Sequence, residues 1–435
     1  MLHGKKVEEP MRTVTLLTSL FVLAFGSPAV RGEAVVRIVD RDGAAARLAA
    51  PACVPIDLAE VAEGIAAAGW QLAAIGGPAD EAPLPAQFEP ESPGARRGRL
   101  WWIVPPGSGG ERRYRIVPLD EEPPRAWEVN HDAAHERIDV AERAAGRLPV
   151  LRYNHGAVPV REGTHPHFAP GESYERGDYI HPLFGPDGEE LTEDYPRDHP
   201  HHRGVWWSWP VTRWGDQIGD IWAVVQVWSR PVAMRRIETG PVFALLEAEN
   251  VWKFGKDEVP IVREEVLIRA FRQTDRRRFV DVEVRLTALA DEVAVGGRPK
   301  AGYGGFSLRA APCDRRAITL FADPEGASPR RSWIDYSGVF SGGRGMAGVA
   351  IFEHPANPDY PNPLHEYPQC NCVMPAYPDQ REVRLSRDEP LVLKHRLYVH
   401  PGGPNRADLA AVWAGYARPP ETCLEPCVPF SSAPR

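Results

Sequence analysis

The side chains best suited to chemistry are concentrated between positions 178 and 209, in the stretch DYIHPLFGPDGEELTEDYPRDHPHHRGVWWSW. This stretch holds four of the 14 histidines, and its densest part is the run from His199 to Gly204. Imidazoles titrate near neutral pH and serve as general acids and bases, and a guanidinium can hold or polarise an oxygen. We therefore expect a site here that binds or transforms a polar organic molecule.

The run allows three interpretations. If residues 199–203 are extended, His199, His201 and Arg203 share one face and His202 lies on the other. An H-x-H pair on a strand can supply two metal ligands, so a divalent metal at His199 and His201 is one possibility, with Asp198 or a distant histidine as the third ligand. The same groups could act on an organic substrate, or could form an internal network in which Asp198 fixes an imidazole. The sequence leaves these readings open.

Other polar positions follow predicted strands. His181 precedes the turn signal Gly185-Pro186-Asp187-Gly188 and would lie at a strand end. His354 and Asn357 follow the apolar run MAGVAIF (346–352), and His365 lies on the next loop. Loops at strand ends often carry function, so each could belong to a site or could simply support its loop.

Two further sets of residues could serve either a binding site or the fold alone. The alternation in 391–399 places Arg396, Tyr398 and His400 on the more polar face of a strand, where they would meet a cleft or, as we favour, water. The tryptophans at 206, 207 and 209 are expected to be core residues, with a sugar-stacking surface as the sharper alternative.

Composition and missing motifs exclude several function classes. The net charge is −8, with acidic and basic residues interspersed, which argues against a nucleic-acid partner. The sequence has no H-E-x-x-H, no G-x-S-x-G, no phosphate-binding loop and no dinucleotide fingerprint. The site must therefore be argued from the histidine-rich stretch itself.

Strand patterns dominate the elements that would position these residues. In 279–287 (FVDVEVRLT), Val280, Val282, Val284 and Leu286 alternate with polar residues, which is typical of a half-buried strand. With 39 glycines, 45 prolines and no βαβ rhythm, the chain should form a large antiparallel β-sandwich. Further strands are predicted at 221–228, 242–254, 260–271, 302–310, 346–353 and 390–399.

The 435 residues are divided in our prediction into a small N-terminal β-domain (33–122), a main sandwich (127–417) and a Pro- and Cys-containing tail (418–435). One convincing helix is predicted at 405–417, with Asn405 as its N-cap. The class is therefore all-β with a C-terminal helix.

The N-terminus resembles an export signal. Lys5, Lys6 and Arg12 precede the apolar run 13–26, and small residues follow it, so residues 1–32 are predicted to be a signal peptide, with a buried N-terminal element as the alternative. No other apolar run approaches membrane length, so we expect a periplasmic or extracellular protein without a membrane span. Export permits disulfides, but six cysteines allow 15 connectivities, and spacing argues against a zinc knuckle.

Five sequence blocks resemble the bacterial family labelled "PmoA family protein", a domain of unknown function, over residues 130–417. The blocks are YIHPLFGPDGEELT, DHPHHRGVWWSW, WIDYSG (333–338), GVAIFEHPANP (348–358) and LVLKHRLYVHPGG (391–403). The resemblance implies an exported protein in a carbohydrate context and, by analogy, a supersandwich like that of sugar mutarotases. Its polar positions fall on His181, Asp198, His199, His201, His202, Arg203, His354, Asn357 and His400.

The sequence thus predicts an exported protein that acts on a carbohydrate or sugar-derived compound by His/Asp acid–base chemistry. The alternatives are a non-catalytic carbohydrate-binding protein and a His-ligated metal-dependent oxygenase or hydrolase. No cofactor is required, and the oligomeric state is left open. The predicted catalytic residues are His181, Asp198, His199, His201, His202, Arg203 and His354. The predicted substrate-binding residues are Trp206, Asn357, His365, Arg396 and His400.

Overall fold

Strands account for most of the backbone that the structure describes. The computed structural model describes residues 34–40, 48–61, 67–76, 81–107, 110–144, 146–159, 174–321 and 332–425. The predicted signal peptide lies outside these residues. Four antiparallel sheets make up the described part of the chain, and the predicted all-β sandwich is confirmed.

A seven-stranded sheet forms the N-terminal part, with the order β2-β5-β4-β3-β6-β1-β27. Its strands are β1 (Val35–Asp40), β2 (Ala50–Asp57), β3 (Gly69–Ala74), β4 (Leu84–Pro90), β5 (Arg97–Val104) and β6 (Gly110–Leu119), with a short helix α1 (Leu58–Val61) after β2. The last strand, β27 (Glu421–Glu425), pairs with β1. The segment predicted as a tail from 418 therefore contributes an edge strand to this sheet.

Two eight-stranded sheets form the main sandwich. The front sheet has the order β23-β24-β19-β11-β10-β9-β8-β7, and the back sheet has the order β14-β15-β16-β17-β26-β22-β21-β20. The front strands are β7 (Trp127–Asp132), β8 (Arg137–Ala144), β9 (Gly146–Asn154), β10 (Tyr179–Leu183), β11 (Val205–Ser208), β19 (Gly305–Arg309), β23 (Leu364–Tyr367) and β24 (Cys372–Pro375).

The back strands are longer, as the long alternating runs of the sequence require. They are β14 (Val227–Thr239), β15 (Phe243–Phe254), β16 (Val259–Phe271), β17 (Arg278–Ala288), β20 (Cys313–Phe321), β21 (Trp333–Phe340), β22 (Met346–Glu353) and β26 (Leu391–Pro401). A small four-stranded sheet contains β12 (Val211–Trp214), β13 (Gln217–Gly219), β18 (Val293–Gly296) and β25 (Glu382–Arg384).

The inner faces of the two large sheets meet in one apolar core. On β17, the alternating residues Val280, Val282, Val284 and Leu286 are all at most 1% exposed and belong to this core, as their pattern predicts. Burial of such side chains supplies about 25 cal/mol per Å² of apolar surface, which is the main stabilising term of a sandwich.

A polar bridge crosses this core. The indole Nε1 of Trp207 on β11 donates to Asp178 Oδ2 (3.1 Å) and to Glu264 Oε1 on β16 (2.8 Å). Tyr153 donates to Asp178 Oδ1 (2.7 Å), and Trp252 donates to Glu264 Oε2 (2.7 Å). Burial and the neighbouring Asp178 raise the pKa of Glu264 well above its usual value, which favours the neutral form of this carboxyl group. The bridge thereby fixes the front sheet against the back sheet.

Helix α2 (Arg406–Ala417) follows β26 and confirms the predicted helix. The side chain of Asn405 accepts hydrogen bonds from the backbone N–H groups of Ala407 and Asp408, which caps its first turn. Within the described part of the chain, no helix combines the length and the apolar character needed to cross a bilayer.

The predicted strand at 221–228 is wrong for its first half. Residues 221–224 form a turn, and β14 begins only at Val227. The carboxylate of Asp220 accepts a hydrogen bond from Ala223 N (2.8 Å), and Val224 and Gln226 adopt positive φ values of 59° and 60°. This side-chain capping competes with the extended conformation that the apolar residues favour.

The polar face of β26 is buried, contrary to the expectation that it meets water. Tyr398 packs with Leu409, Val412 and Trp413 of α2, because this helix and strand β5 cover the outer face of the back sheet. Arg396 forms a bidentate pair with Asp281 (2.5 and 2.8 Å), and its guanidinium lies 4.4 Å from the centre of the Tyr416 ring.

The buried imidazole of His395 predicts acid sensitivity. It stacks on Phe306 in the core, at 4.2 Å between ring centroids, and burial, followed by the charge of His354, lowers its pKa to about 3. The unfolded chain binds a proton near pH 6.5, whereas the folded chain stays neutral, so stability is lost as pH falls below about 6.5. His395→Gln should reduce the loss in unfolding free energy between pH 7 and pH 5 by about 2 kcal/mol.

Urea unfolding followed by tryptophan fluorescence at the two pH values measures this difference. His131→Gln, which removes an exposed imidazole of β7, is the matched control and should keep the acid loss of the parent protein. An equal loss in the parent protein and His395→Gln would contradict the assignment.

Candidate functional site

The candidate site lies on the outer face of the front sheet. Successive side chains of a strand point to opposite faces, so the inward Trp207 places its neighbour Trp206 outward. Cross-strand pairing then aligns a row of outward residues: Asn154 with Tyr179, Tyr179 with Trp206, Trp206 with Ser307, and Met374 with His365. The Ser307 hydroxyl lies 3.8 Å from Met374 Sδ, which joins the two halves of the row.

The segment 192–204 covers this row and contains a tight turn. The backbone N–H of His202 donates to His199 O (2.9 Å), so residues 199–202 form a turn with Pro200 at the position where its fixed φ is favoured. The turn brings the rings of His199 and His202 to 4.6 Å between centroids, at 16° between planes. The extended conformation, which would place His199 and His201 on one face, is therefore not formed, and His199 stacks on His202.

The segment ends in glycine because position 204 lies too close to β10 for a side chain. A Cβ atom at this position would lie 2.2 Å from Ile180 O and 2.8 Å from His181 Cβ. Only glycine permits so close an approach between the segment and β10.

A thiol from a distant part of the sequence joins the two imidazoles. Residues 368–370 form a 3₁₀ turn, Asn371 adopts a positive φ of 48°, and β24 then begins at Cys372. The Cys370 Sγ and one nitrogen each of His199 and His202 all lie within 4.8 Å of one another. We call these three residues the His–Cys cluster. Cys370 and Cys372 are free thiols.

The protonation states within the segment differ from those of free side chains. A hydrogen bond with the Cys372 thiol lowers the pKa of Cys370 to about 7, despite partial burial. Burial, followed by the neighbouring charge of His199, lowers the pKa of His201 to about 3, and burial also lowers the pKa of His202 well below its usual value. Both imidazoles are therefore neutral at pH 7.

His199 lies against a carboxylate that is itself fixed. Its Nδ1 lies 3.0 Å from Asp198 Oδ2, and Arg309 on β19 donates to both oxygens of Asp198 (3.2 and 2.8 Å). Although partial burial acts to raise it, the bonds with Arg309 and the neighbouring His199 lower the pKa of Asp198. Asp198 is thus ionised and places a negative charge beside His199 rather than donating a proton.

Arg203 holds the segment and is not available to a ligand. Its side chain is 0% exposed; it donates to Asp194 Oδ1 (3.1 Å) and Tyr174 O (2.5 Å), and its guanidinium lies 3.0 Å from the centre of the Tyr195 ring. The predicted role of Arg203 in polarising a substrate oxygen does not fit this burial.

A cavity of about 620 Å³ opens beside the segment. Its polar lining includes Arg152, Asn154, His181, Glu190 and Asp194. His181 Nδ1 lies 3.0 Å from Thr192 Oγ1, which fixes the ring. Burial lowers the pKa of His181, and this effect is partly opposed by Asp194 and Glu190. We call this cavity the His181 cleft.

Four other predicted site residues lie outside both the His181 cleft and the His–Cys cluster. His354 and Arg396 line a separate cavity of about 270 Å³ at the back sheet. Asn357 bonds the backbone of Lys394 through both side-chain atoms (2.7 and 2.9 Å), and His400 pairs with Asp335 (2.8 Å) in the interior. The prediction of His354 as catalytic and Arg396 as substrate-binding beside 199–203 does not fit these positions, because His354 follows β22 and Arg396 lies on β26, both in the back sheet.

Two predicted substrate-binding residues do lie on the front sheet. Trp206 is 0% exposed beneath His202 (5.1 Å between centroids), so it has no face open to a sugar. His365 is half-buried in the outward row and stacks with Tyr367 at 6.1 Å. Sequence reasoning did not place Cys370 at the site, and its only local signal is the C-x-C spacing of Cys370 and Cys372.

Removal of the Arg203 guanidinium should destabilise the fold. Arg203→Ala leaves the Asp194 carboxylate without its buried partner, which should cost about 3 kcal/mol of unfolding free energy. The control Arg213→Ala removes a surface pair with Glu382 and should cost less than about 1 kcal/mol. Urea unfolding measures both values; equal, small losses would contradict the structural role of Arg203.

One family model matches the chain. It is described as a family of unknown function, DUF6807, and it matches residues 141–414, from within β8 to within α2. No curated protein matches the sequence. The matched segment includes the His181 cleft and the His–Cys cluster almost entirely. Because it covers more than half of the 435 residues, the chain belongs to the DUF6807 family.

Proposed function

We propose that this protein is an exported enzyme that binds a carbohydrate or sugar-derived compound in the His181 cleft and transforms it by proton transfer. The observation that carries the proposal is the position of a neutral histidine beside two carboxylates, Glu190 and Asp194, in a cavity of about 620 Å³. Ligand sites in proteins commonly measure about 300–1,000 Å³ and present a few convergent polar groups.

His181 has the properties of a general base. Its depressed pKa keeps the ring neutral near pH 7, and Thr192 engages Nδ1, which leaves Nε2 for a substrate. Asp194 is held by Arg203 and by the Tyr179 hydroxyl (3.2 Å), so it acts as a fixed negative charge near the ring. Such a charge stabilises the imidazolium that forms when the base accepts a proton.

The polar lining suits a polyhydroxylated ligand. Arg152 and Asn154 offer donors, and the carboxylate of Glu190 offers acceptors, which is the mixture that sugar hydroxyls require. The resemblance to the family labelled PmoA implies a carbohydrate context, and the signal-like residues 1–32 support an exported location. The carbohydrate context and the exported location are therefore parts of the same proposal as the cleft.

The alternative of a non-catalytic sugar-binding protein has less support. It relied on a stacking surface at Trp206, Trp207 and Trp209, and these residues are 0%, 3% and 0% exposed. A binding protein that uses other aromatic residues would bind sugars without product formation, so the two functions separate in the experiment below.

Turnover of sugar substrates should depend on His181. The purified protein is incubated with a panel of oligosaccharides and sugar acids, and products are detected by mass spectrometry. His181→Ala should lower kcat/KM by about 10²–10⁴-fold, because general base catalysis is lost. The control His354→Ala lies at the separate cavity of the back sheet and should retain the activity of the parent protein within about twofold.

Binding without products would support the non-catalytic alternative. Turnover that is the same in the parent protein and in His181→Ala would contradict the assigned base. Circular dichroism of each variant separates a loss of chemistry from a loss of fold.

The pH profile should carry the signature of a buried imidazole. A general base must be neutral, and burial moves the pKa of His181 below its ordinary 6.5. The kcat/KM should therefore be constant near pH 7 and fall only as pH drops below the usual imidazole range. An acid limb centred above pH 6.5 would contradict His181 as the base.

A further inference from the structure

The His–Cys cluster is a separate concentration of donors on the same sheet face, and the proposed proton transfer makes no use of it. Its three donor atoms come from the turn 199–202 and from the 3₁₀ turn that precedes β24, and all lie within 4.8 Å of one another. We propose that His199, His202 and Cys370 form a binding site for one zinc-type transition metal ion. This proposal goes beyond the function of the His181 cleft and does not depend on its substrate.

The donor set has the chemistry of a zinc site. Imidazole nitrogen and thiolate sulfur bind Zn²⁺ at about 2.0–2.1 and 2.3 Å, usually in a tetrahedron. Donors in such a tetrahedron lie roughly 3.3–3.8 Å apart, so the cluster reaches this geometry after side-chain movements of about 1 Å. The stacked rings of His199 and His202 lie on one turn, which already holds two of the three donors together.

A buried, unsatisfied nitrogen points to a missing partner. His202 is 5% exposed, and its Nδ1 has no hydrogen-bond partner among the described residues. Buried polar atoms without partners are rare, because each carries a desolvation cost of about 1–3 kcal/mol. A metal ion within reach of this ring would satisfy the imidazole, whereas the neighbouring tryptophans offer only ring contacts.

The surroundings resemble the outer shell of a metal centre. Arg309 fixes Asp198, and Asp198 Oδ2 lies 3.0 Å from Nδ1 of His199, so a ligating His199 would have a carboxylate beside its ring. On the opposite side, Asn371 Oδ1 accepts hydrogen bonds from Tyr336 (2.9 Å) and Arg316 (2.9 Å), which anchors the turn that presents Cys370.

The site has an open side. The side chain of His199 is 41% exposed, whereas His202 and Cys370 are buried. Three protein donors leave the fourth position of a tetrahedral ion for water or an oxygen ligand, as in catalytic zinc sites. The structure therefore favours an accessible ion over a closed structural one.

Metal titration tests the proposal directly. The protein is purified under a phosphine reductant, stripped with a chelator and titrated with Zn²⁺, and metal content is measured by mass spectrometry. One Zn²⁺ per chain is expected. Co²⁺ in the same site should give a thiolate-to-cobalt charge-transfer band and intense tetrahedral visible bands, which report ligation without any variant.

The variants identify the ligands. Cys370→Ser and His202→Ala should lose stoichiometric binding and the thiolate band, and Asp198→Asn should weaken the affinity by about 10–100-fold. The controls Cys313→Ser and His354→Gln remove a thiol and an imidazole elsewhere and should bind as the parent protein does. Absence of stoichiometric metal in the reduced parent protein, or a thiolate band that survives Cys370→Ser, would overturn the proposal.

Discussion

The polar bridge through Trp207 is the interaction on which the arrangement of the front sheet depends. One indole N–H contacts both Asp178 and Glu264, and these buried carboxyl groups also accept hydrogen bonds from Tyr153 and Trp252. The bridge fixes Trp207 to the inner face. Strand alternation then compels Trp206 to the outer face, where it forms the floor under His202. A core interaction thus sets the register of the surface that carries the candidate sites.

Two arginine–carboxylate pairs then fold the segment 192–204 onto that surface. Arg309 reaches from β19 to Asp198, and Arg203 reaches from within the segment to Asp194. In both pairs the guanidinium is almost fully buried, so the geometry is fixed by several hydrogen bonds rather than by a screened surface charge. In the run DHPHHRG, Arg309 holds Asp198 and residues 199–202 form a turn. Arg203 pairs with Asp194, and Gly204 permits the close approach to β10.

The sequence predicted the fold well because the relevant signals are local. Period-two alternation in β17 and the Asn405 cap of α2 are properties of neighbouring residues, and both are confirmed. The error at 221–224 arose where a single side chain, Asp220, outweighed the apolar pattern. The burial of Arg396 could not be predicted, because α2 and β5 cover it and the pairing of distant layers leaves no periodic trace.

For the candidate site, the sequence indicated the stretch of chain but not the distant residues that lie beside it. It indicated the stretch 178–203, which contributes residues to both candidate sites, but a turn containing Pro200 replaces the extended conformation considered for 199–203 and brings His199 to His202. It grouped His354 with this stretch on the basis of residue type, whereas His354 follows β22 of the back sheet and the stretch flanks β10 and β11 of the front sheet. Cys370 is about 170 positions from the turn, and only the pairing of β19 with β24 brings it near.

The two candidate sites are joined by one segment of backbone. Thr192 and Asp194 face the His181 cleft at its beginning, and His199 and His202 contribute to the His–Cys cluster at its end. An ion bound by the cluster would tie this segment to β24 through Cys370 and so reduce its freedom along its whole length. Because proton transfer requires a base held within hydrogen-bonding reach of its substrate, restraint at one end of the segment favours order at the other. The structure thereby gives a physical reason for placing a donor cluster and a polar cleft side by side on one sheet face.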